Sequence, residues 1–342
     1  MSSRIFINTN RKTLESLPSR NPEVRIFHQS LPQYNTTPLV PLPGIAKELG
    51  IAQLFVKDES SRFGLSAFKI LGASWATKRS LEKRLGLDSS QSPMSLQQLA
   101  SVVQAADFTL YAATDGNQGR AVARMAKYLG IKARIFVPSM LDFEAKEKIT
   151  NEGAILEIFD GSYDQKVVKT KSLAESHPDG KGVLISDTAL TVEDETAAWI
   201  VEGYQTMFDE IEEQRREKAN KPLIVTVEPE TAACLKTSLE AGEPKSVDAE
   251  YTICTGMCCG TISLIGWPIL RTGVSAAVTT TDVEVHKAVR ELEEYGAIAG
   301  PCGAATLAGL RFLAGSGEMS LSPDSFVVIL CTEGKRGYLI PG

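Results

Sequence analysis

Short apolar runs rich in β-branched and aromatic residues alternate with longer stretches of helical periodicity, and no other feature of the chain limits its fold as strongly. The candidate strands are residues 54–56, 108–112, 133–137, 155–159, 183–185, 223–227, 276–280 and 326–330. Helical patterns fall at 119–129, 143–151, 195–216 and 283–295. Continuous apolar strands linked through helices predict parallel sheets covered on both faces. Residues 133–159 are the clearest case: ARIFVP, SMLDFEAKEKITNEG and AILEIF make one right-handed strand–helix–strand unit. The expected class is α/β, in two lobes that each carry a mainly parallel sheet flanked by helices.

Three polar stretches interrupt this order. Residues 1–20 lack the apolar segment of a secretory signal and read as an irregular arm. Residues 88–98, DSSQSPMSLQQ, read as a polar linker that marks passage into a second lobe. Residues 210–222, EIEEQRREKANKP, read as a solvated helix end. The net charge of −6 argues against nucleic acid or an anionic membrane as partner. No apolar run approaches the roughly 18 residues of a membrane span. All six cysteines follow residue 230, without C-x-x-C spacing or a nearby zinc-type histidine. They are expected to be buried thiols in a reducing cytosol, with no metal site.

Three segments carry residues suited to chemistry. In KDESSRFGLSAFKILGASWA (57–76), Lys69 stands between Phe68 and an apolar helix face. A desolvated lysine there can give up its proton and condense with an aldehyde; the plain alternative is a lysine snorkelling from a helix start. In AATDGNQGRAVARMAKYLG (112–130), a strand turns through Gly116 and Gly119 into a helix. Backbone N–H groups at such a start bind anions. Asp115 in that turn either moves a proton beside the anion or caps the helix. In ISDTALTVEDETAAWIVEGY (185–204), Asp187 lies just beyond a short strand, where α/β enzymes place functional groups, or caps a turn.

Together these segments resemble the diaminopropionate ammonia-lyases, pyridoxal-phosphate (PLP) enzymes of the tryptophan-synthase-β-like group, fold type II. Residues 58–72 match the family's D-E-S-x-R-F-G-L-x-A-F-K-x-L-G signature almost throughout. DGNQGR at 115–120 stands where the family has D-G-N-H-G-R, with Gln118 for histidine. SDTA at 186–189, CTEG at 331–334 and GPCGAATLAGL at 300–310 also resemble family segments.

The resemblance implies that Lys69 holds PLP as a Schiff base, with Phe68 and Asn117 beside the cofactor and Thr332, or alternatively Cys331, facing its ring nitrogen. The substrate carboxylate is expected at Thr114, Gly116 and Gln118. Asp115 is implied for the D-isomer and Asp187 for the L-isomer, in an elimination that turns 2,3-diaminopropionate into pyruvate and ammonia. Asp187 could also assist the departing amine. The expected lobes are residues 1–104 with 190–342, which bind the cofactor, and 105–189. The family implies a homodimer, and the cytoplasm is the expected compartment.

One family element is missing from the sequence. These enzymes hold the cofactor phosphate in a glycine loop after a strand, expected between the helix ending near 216 and the strand at 223–227. Here EEQRREKANKP runs straight into LIVTVEPE. One strand with its glycine loop is therefore expected to be absent. Losing a central strand exposes sheet edges, and losing N–H donors weakens the hold on a phosphate. Two other functions stay open: serine or threonine dehydration or β-replacement with the same cofactor, and a cofactor-free protein on an old enzyme scaffold.

Overall fold

A computed structural model describes residues 3–12, 20–87, 94–114, 116–161, 163–189, 191, 193–215, 222–319 and 321–342. All eight expected strands are present: β3 (Gln53–Asp58), β4 (Thr109–Ala113), β5 (Lys132–Val137), β6 (Ile155–Ile158), β7 (Gly182–Leu184), β8 (Val225–Pro229), β9 (Ala276–Thr280) and β10 (Phe326–Cys331). Two more, β1 (Ile5–Ile7) and β2 (Leu39–Pro41), span three residues each, too few to show a period in the sequence. The N-terminal arm is thus not irregular throughout, since Ile5–Ile7 pairs antiparallel with β9. Arg4 fixes it there, lying 3.7 Å over the Phe312 ring and donating to Glu284 at 3.0 Å.

The chain divides into two compact units, one of residues 1–19, 36–67 and 210–342, the other of residues 20–35 and 68–209. These bounds differ from the lobe limits expected at 104/105 and 189/190. The helix Lys69–Arg84 packs on the helices Asn117–Leu129 and Glu195–Gly203, so residues 68–104 and 190–209 join the second unit. The end of the expected linker also has structure. Ser95 and Gln98 form a reciprocal cap on the helix Leu96–Ala105, which satisfies two orphan N–H groups. Residues 88–93 lie outside the described residues.

In the first unit the strands form two sheets, ordered β1-β9-β8 and β10-β3-β2. Each holds one parallel pair, β8 with β9 and β3 with β10, and one antiparallel pair. Among the described residues β8 and β10 each pair on one side only. The helix Pro301–Ser316 packs against β8, β9 and β10. It approaches β8 so closely that a methyl at Gly309 would lie 2.5 Å from Val227.

A fully buried ionic network lies in this unit. Lys57 Nζ donates to Glu210 Oε2 at 2.7 Å, to the Thr37 carbonyl at 2.8 Å and to Gln214 at 3.0 Å. Arg62 donates to Glu59 and to both oxygens of Glu210 at 2.7–2.8 Å. Burial works against the Glu210 carboxylate, but Arg62 and Lys57 overcome it and hold the group down at about 2. The expected solvated end at 210–222 is therefore wrong at its first residue, because Glu210 is buried. A charge run read from sequence cannot reveal that its counter-charges sit some 150 residues earlier.

The second unit holds one four-stranded sheet, β6-β5-β4-β7, parallel throughout. Every residue of β4 is buried, as its continuous apolar sequence requires. The expected helix at 195–216 is two, Glu195–Gly203 and Gln205–Gln214, meeting at Tyr204.

Candidate functional site

Lys69 is the first residue of its helix, with Phe68 as the capping position. Its amine is neither lost in the core nor free in solvent: the side chain is 26% exposed. Nζ donates to Asp187 Oδ2 at 2.8 Å and lies 5.4 Å from the centre of the Phe68 ring. Asp187 follows β7 by three residues, at the carboxyl side of the parallel sheet. Ser186 shapes that turn, its hydroxyl accepting from the Thr188 N–H and donating to the Thr188 carbonyl. Two residues 118 apart in sequence are thereby brought to hydrogen-bond distance.

The turn after β4 is built for close approach. Thr114 Oγ1 accepts from the N–H groups of Gly116 and Gly119 at 3.0 and 3.1 Å. Gly116 has φ 140°, a region that side-chain-bearing residues avoid. Asn117 opens the helix Asn117–Leu129, which points its N-terminal N–H groups and positive dipole end into this turn. Gln118 is buried, yet neither polar atom of its amide has a hydrogen-bond partner. Buried amides are almost always satisfied, so this one suits a polar ligand. Asp115 lies outside the described residues.

Two residues of this unit were not singled out from the sequence. Lys166 is buried and donates to the Thr114 carbonyl at 3.1 Å, which puts a cation under the anion-binding turn. Only its place in the helix Tyr163–Glu175, which packs on β4 and β7, brings it there. Tyr204 sets its ring 4.7 Å from that of Phe68, and its hydroxyl is buried. Burial pushes that hydroxyl up, the Lys69 ammonium pulls it back, and Asp187 adds to the rise. In sequence it was one aromatic of a long helical pattern. Two surface hollows of this unit, one beside Glu152 and the other between Tyr111 and His177, do not include Lys69.

Thr332 belongs to the first unit, half-buried directly after β10, again at the carboxyl end of a parallel strand. Beside it, burial first and then Asp58 and Glu333 raise the Cys331 thiol well above its ordinary range. Such a thiol stays protonated. None of the six cysteines forms a disulfide, and four are buried. No group of metal-binding side chains occurs among the described residues. No helix of the described residues is long and apolar enough to cross a membrane.

The residues fit an aldehyde cofactor at its reactive end: a part-exposed amine, a carboxylate partner and an aromatic ring beside them. The phosphate end is different. Between the helix Gln205–Gln214 and β8 the sequence has ten residues, 215–224, and no glycine occurs between Gly203 and Gly242. Residues 216–221 lie outside the described residues. The open edges of β8 and β10, on one helix, are what removal of a strand between them would leave.

Comparison with known proteins bears on both ends. The family model described as "Pyridoxal-phosphate dependent enzyme" matches residues 31–221 and 215–333, two segments that overlap where the glycine loop was expected. A diaminopropionate ammonia-lyase of Salmonella typhimurium strain LT2 is 35% identical over 303 residues, covering 78% of this chain and 74% of the relative. The enzyme of that name from Escherichia coli strain K12 is 31% identical over 355 residues, covering 91% of this chain and 87% of its own length. Since 91% of 342 residues is about 311, about 44 of the 355 aligned positions have no residue here. The crystal structure of the Escherichia coli enzyme in complex with D-serine superposes with a TM-score of 0.84 at 30% identity, over 96% of this chain and 93% of that one.

Proposed function

Because the chain belongs to the pyridoxal-phosphate-dependent enzymes, we propose that it catalyses α,β-elimination of 2,3-diaminopropionate, in D or L form, to pyruvate and ammonia. The observation that carries this reading is the Lys69–Asp187 pair at 2.8 Å, in a chain with this family's similarity. The cofactor supplies an electron sink for the charge left when the α-proton departs. Lys69 is the amine that holds it, with Phe68 and Asn117 at its side and Thr332 toward its ring nitrogen. Thr114, Gly116 and Gln118 receive the substrate carboxylate at a helix start backed by the Lys166 cation. Asp187 takes the α-proton of the L-isomer, and Asp115 that of the D-isomer. Once protonated, Asp187 can return that proton to the amine leaving from the β-carbon.

Pyruvate release from each enantiomer tests the reading. Wild type should release it from at least one, and Lys69→Ala from neither; equal activity in Lys69→Ala would overturn it. A second reading, dehydration of serine or threonine by the same groups, is favoured by Gln118, which replaces a titrating residue with a neutral amide. It predicts pyruvate from serine at a rate comparable with diaminopropionate. A third, a scaffold without its cofactor, is favoured by the glycine-free segment before β8. It predicts a colourless protein in the presence of PLP. The protein is further proposed to be a cytoplasmic homodimer.

A further inference from the structure

We infer that the side-chain amide of Gln118 selects the substrate through two contacts at once, its N–H donating to the carboxylate and its oxygen accepting from a hydrogen-bond donor on the β-carbon. The class it specifies is a small α-amino acid whose β-substituent is an ammonium or a hydroxyl. The inference deepens the proposed elimination and rests on it for the place of the substrate carboxylate.

Gln118 is only 4% exposed, and neither Oε1 nor Nε2 has a hydrogen-bond partner in the protein. Burying an amide without partners is costly, and native chains seldom do it. Gln118 is the second residue of the helix Asn117–Leu129, and Cα–Cβ bonds of a helix tilt toward its N-terminus. The side chain therefore starts back toward the turn that follows β4. The backbone of that turn does not satisfy it. The Thr114 N–H donates to the Phe136 carbonyl at 3.0 Å, and the Thr114 carbonyl accepts from Lys166 at 3.1 Å. The Gly116 N–H goes to Thr114 Oγ1, and the Gly116 carbonyl accepts from the Arg120 N–H at 3.1 Å.

Whichever way the amide is turned, it calls for one acceptor and one donor. A carboxylate supplies only the acceptor and would leave Oε1 buried and bare. The α-amine is the group that reacts with the cofactor. The donor that remains on 2,3-diaminopropionate is its β-ammonium, one carbon removed from the carbon that bears the carboxylate. An amide suits this pairing, because its donor and acceptor sit side by side on one carbon and can meet two groups of one small molecule. The histidine of the resembled motif carries its two nitrogens on a ring, pointing apart. The buried Lys166 cation at the same turn favours the anionic end of the substrate there.

The test compares 2,3-diaminopropionate with β-chloroalanine, which keeps the carboxylate and a leaving group but has no donor on the β-carbon. Gln118→Met removes both polar atoms at similar length. In it kcat/KM should fall about 10–10²-fold further for diaminopropionate than for β-chloroalanine, the worth of one hydrogen bond to a charged group. An equal fall for both overturns the inference. A second readout needs no turnover and uses the Lys69→Ala chain with isotope-labelled glutamine side chains. The Gln118 amide protons should move on adding either alanine or 2,3-diaminopropionate, and the Gln118 side-chain carbonyl carbon only with the latter. A carbonyl signal that stays put with diaminopropionate, or moves as far with alanine, contradicts the role. Gln118→Glu identifies the signal should Gln118→Met fail to fold. If wild type releases pyruvate from neither compound, the elimination reading fails, and the glutamine signals still decide the role of Gln118.

Discussion

The four strands of the second unit form one parallel sheet, whereas the first unit divides six strands between two sheets that share the helix Pro301–Ser316. The continuous sheet brings Asp187 to Lys69 and forms the Thr114 turn. In the divided unit the best-anchored feature is the buried network around Arg62 and Glu210, which contains no candidate substrate contact. The difference separates two ways in which a fold can carry its family's history. The candidate catalytic groups Lys69 and Asp187 lie where the sheet is whole. Where it is divided, a dense ionic cluster and one long helix hold the pieces, and the two family matches overlap at 215–221.

Substitutions in the two units should therefore read out differently, and the largest effect belongs to the continuous unit. Asp187→Asn should lower elimination of L-diaminopropionate by about 10²–10⁴-fold, the usual worth of general acid–base catalysis, and spare the D-isomer. Steady-state rates on the separated enantiomers check this, and equal losses on both would deny Asp187 its selective role. In the divided unit, inserting at 215–222 a strand and glycine loop of the kind that the family resemblance led one to expect there should tighten PLP binding by about 10²-fold or more. Each charge-assisted hydrogen bond regained to phosphate is worth about 1.5–3 kcal/mol. Pyridoxal, without a phosphate, should gain nothing. Equilibrium titration with both aldehydes decides the matter, and an equal gain for both would break the comparison.

Stability should follow the network. Glu210→Gln leaves Arg62 and Lys57 short of a buried charge partner and should cost about 3–5 kcal/mol in chemical denaturation. The pH dependence has a definite sign. Glu210 is held at about 2, below the ordinary carboxylate range, so its contribution is complete above that range and is lost as the pH falls toward about 2. Glu210→Gln should flatten this acid limb, and a variant with the wild-type acid profile would show that the network is not its source. The smallest effect concerns close packing. Gly309→Ala would press a methyl against Val227 and should cost about 1–3 kcal/mol by thermal unfolding.

The architecture was legible because parallel strands buried on both faces leave continuous apolar runs, and all eight such runs became strands. The three-residue strands Ile5–Ile7 and Leu39–Pro41 were not, since pairing with a neighbour defines them more than their own residues do. Lys69 stood out as a lysine on an apolar helix face, and its salt bridge to Asp187 gives that oddity a partner. Lys166 and Tyr204 carry no such mark. A lysine inside a polar helix and a tyrosine between two helices look ordinary until the chain closes around Thr114 and Phe68. Glu210 misled for the same reason, since its counter-charges Lys57 and Arg62 come from another segment. The break before β8 was visible as a missing glycine loop, and among the described residues β8 and β10 each end a sheet.

The central claim is a covalent link between the amine of Lys69 and an aldehyde cofactor. Visible absorbance of the purified chain during titration with pyridoxal 5′-phosphate, run beside Lys69→Ala, measures it most directly. A yellow band that rises with added cofactor, is bleached by borohydride and never appears in the alanine variant is the predicted result. A chain that stays colourless, or colours equally without the lysine, would contradict it.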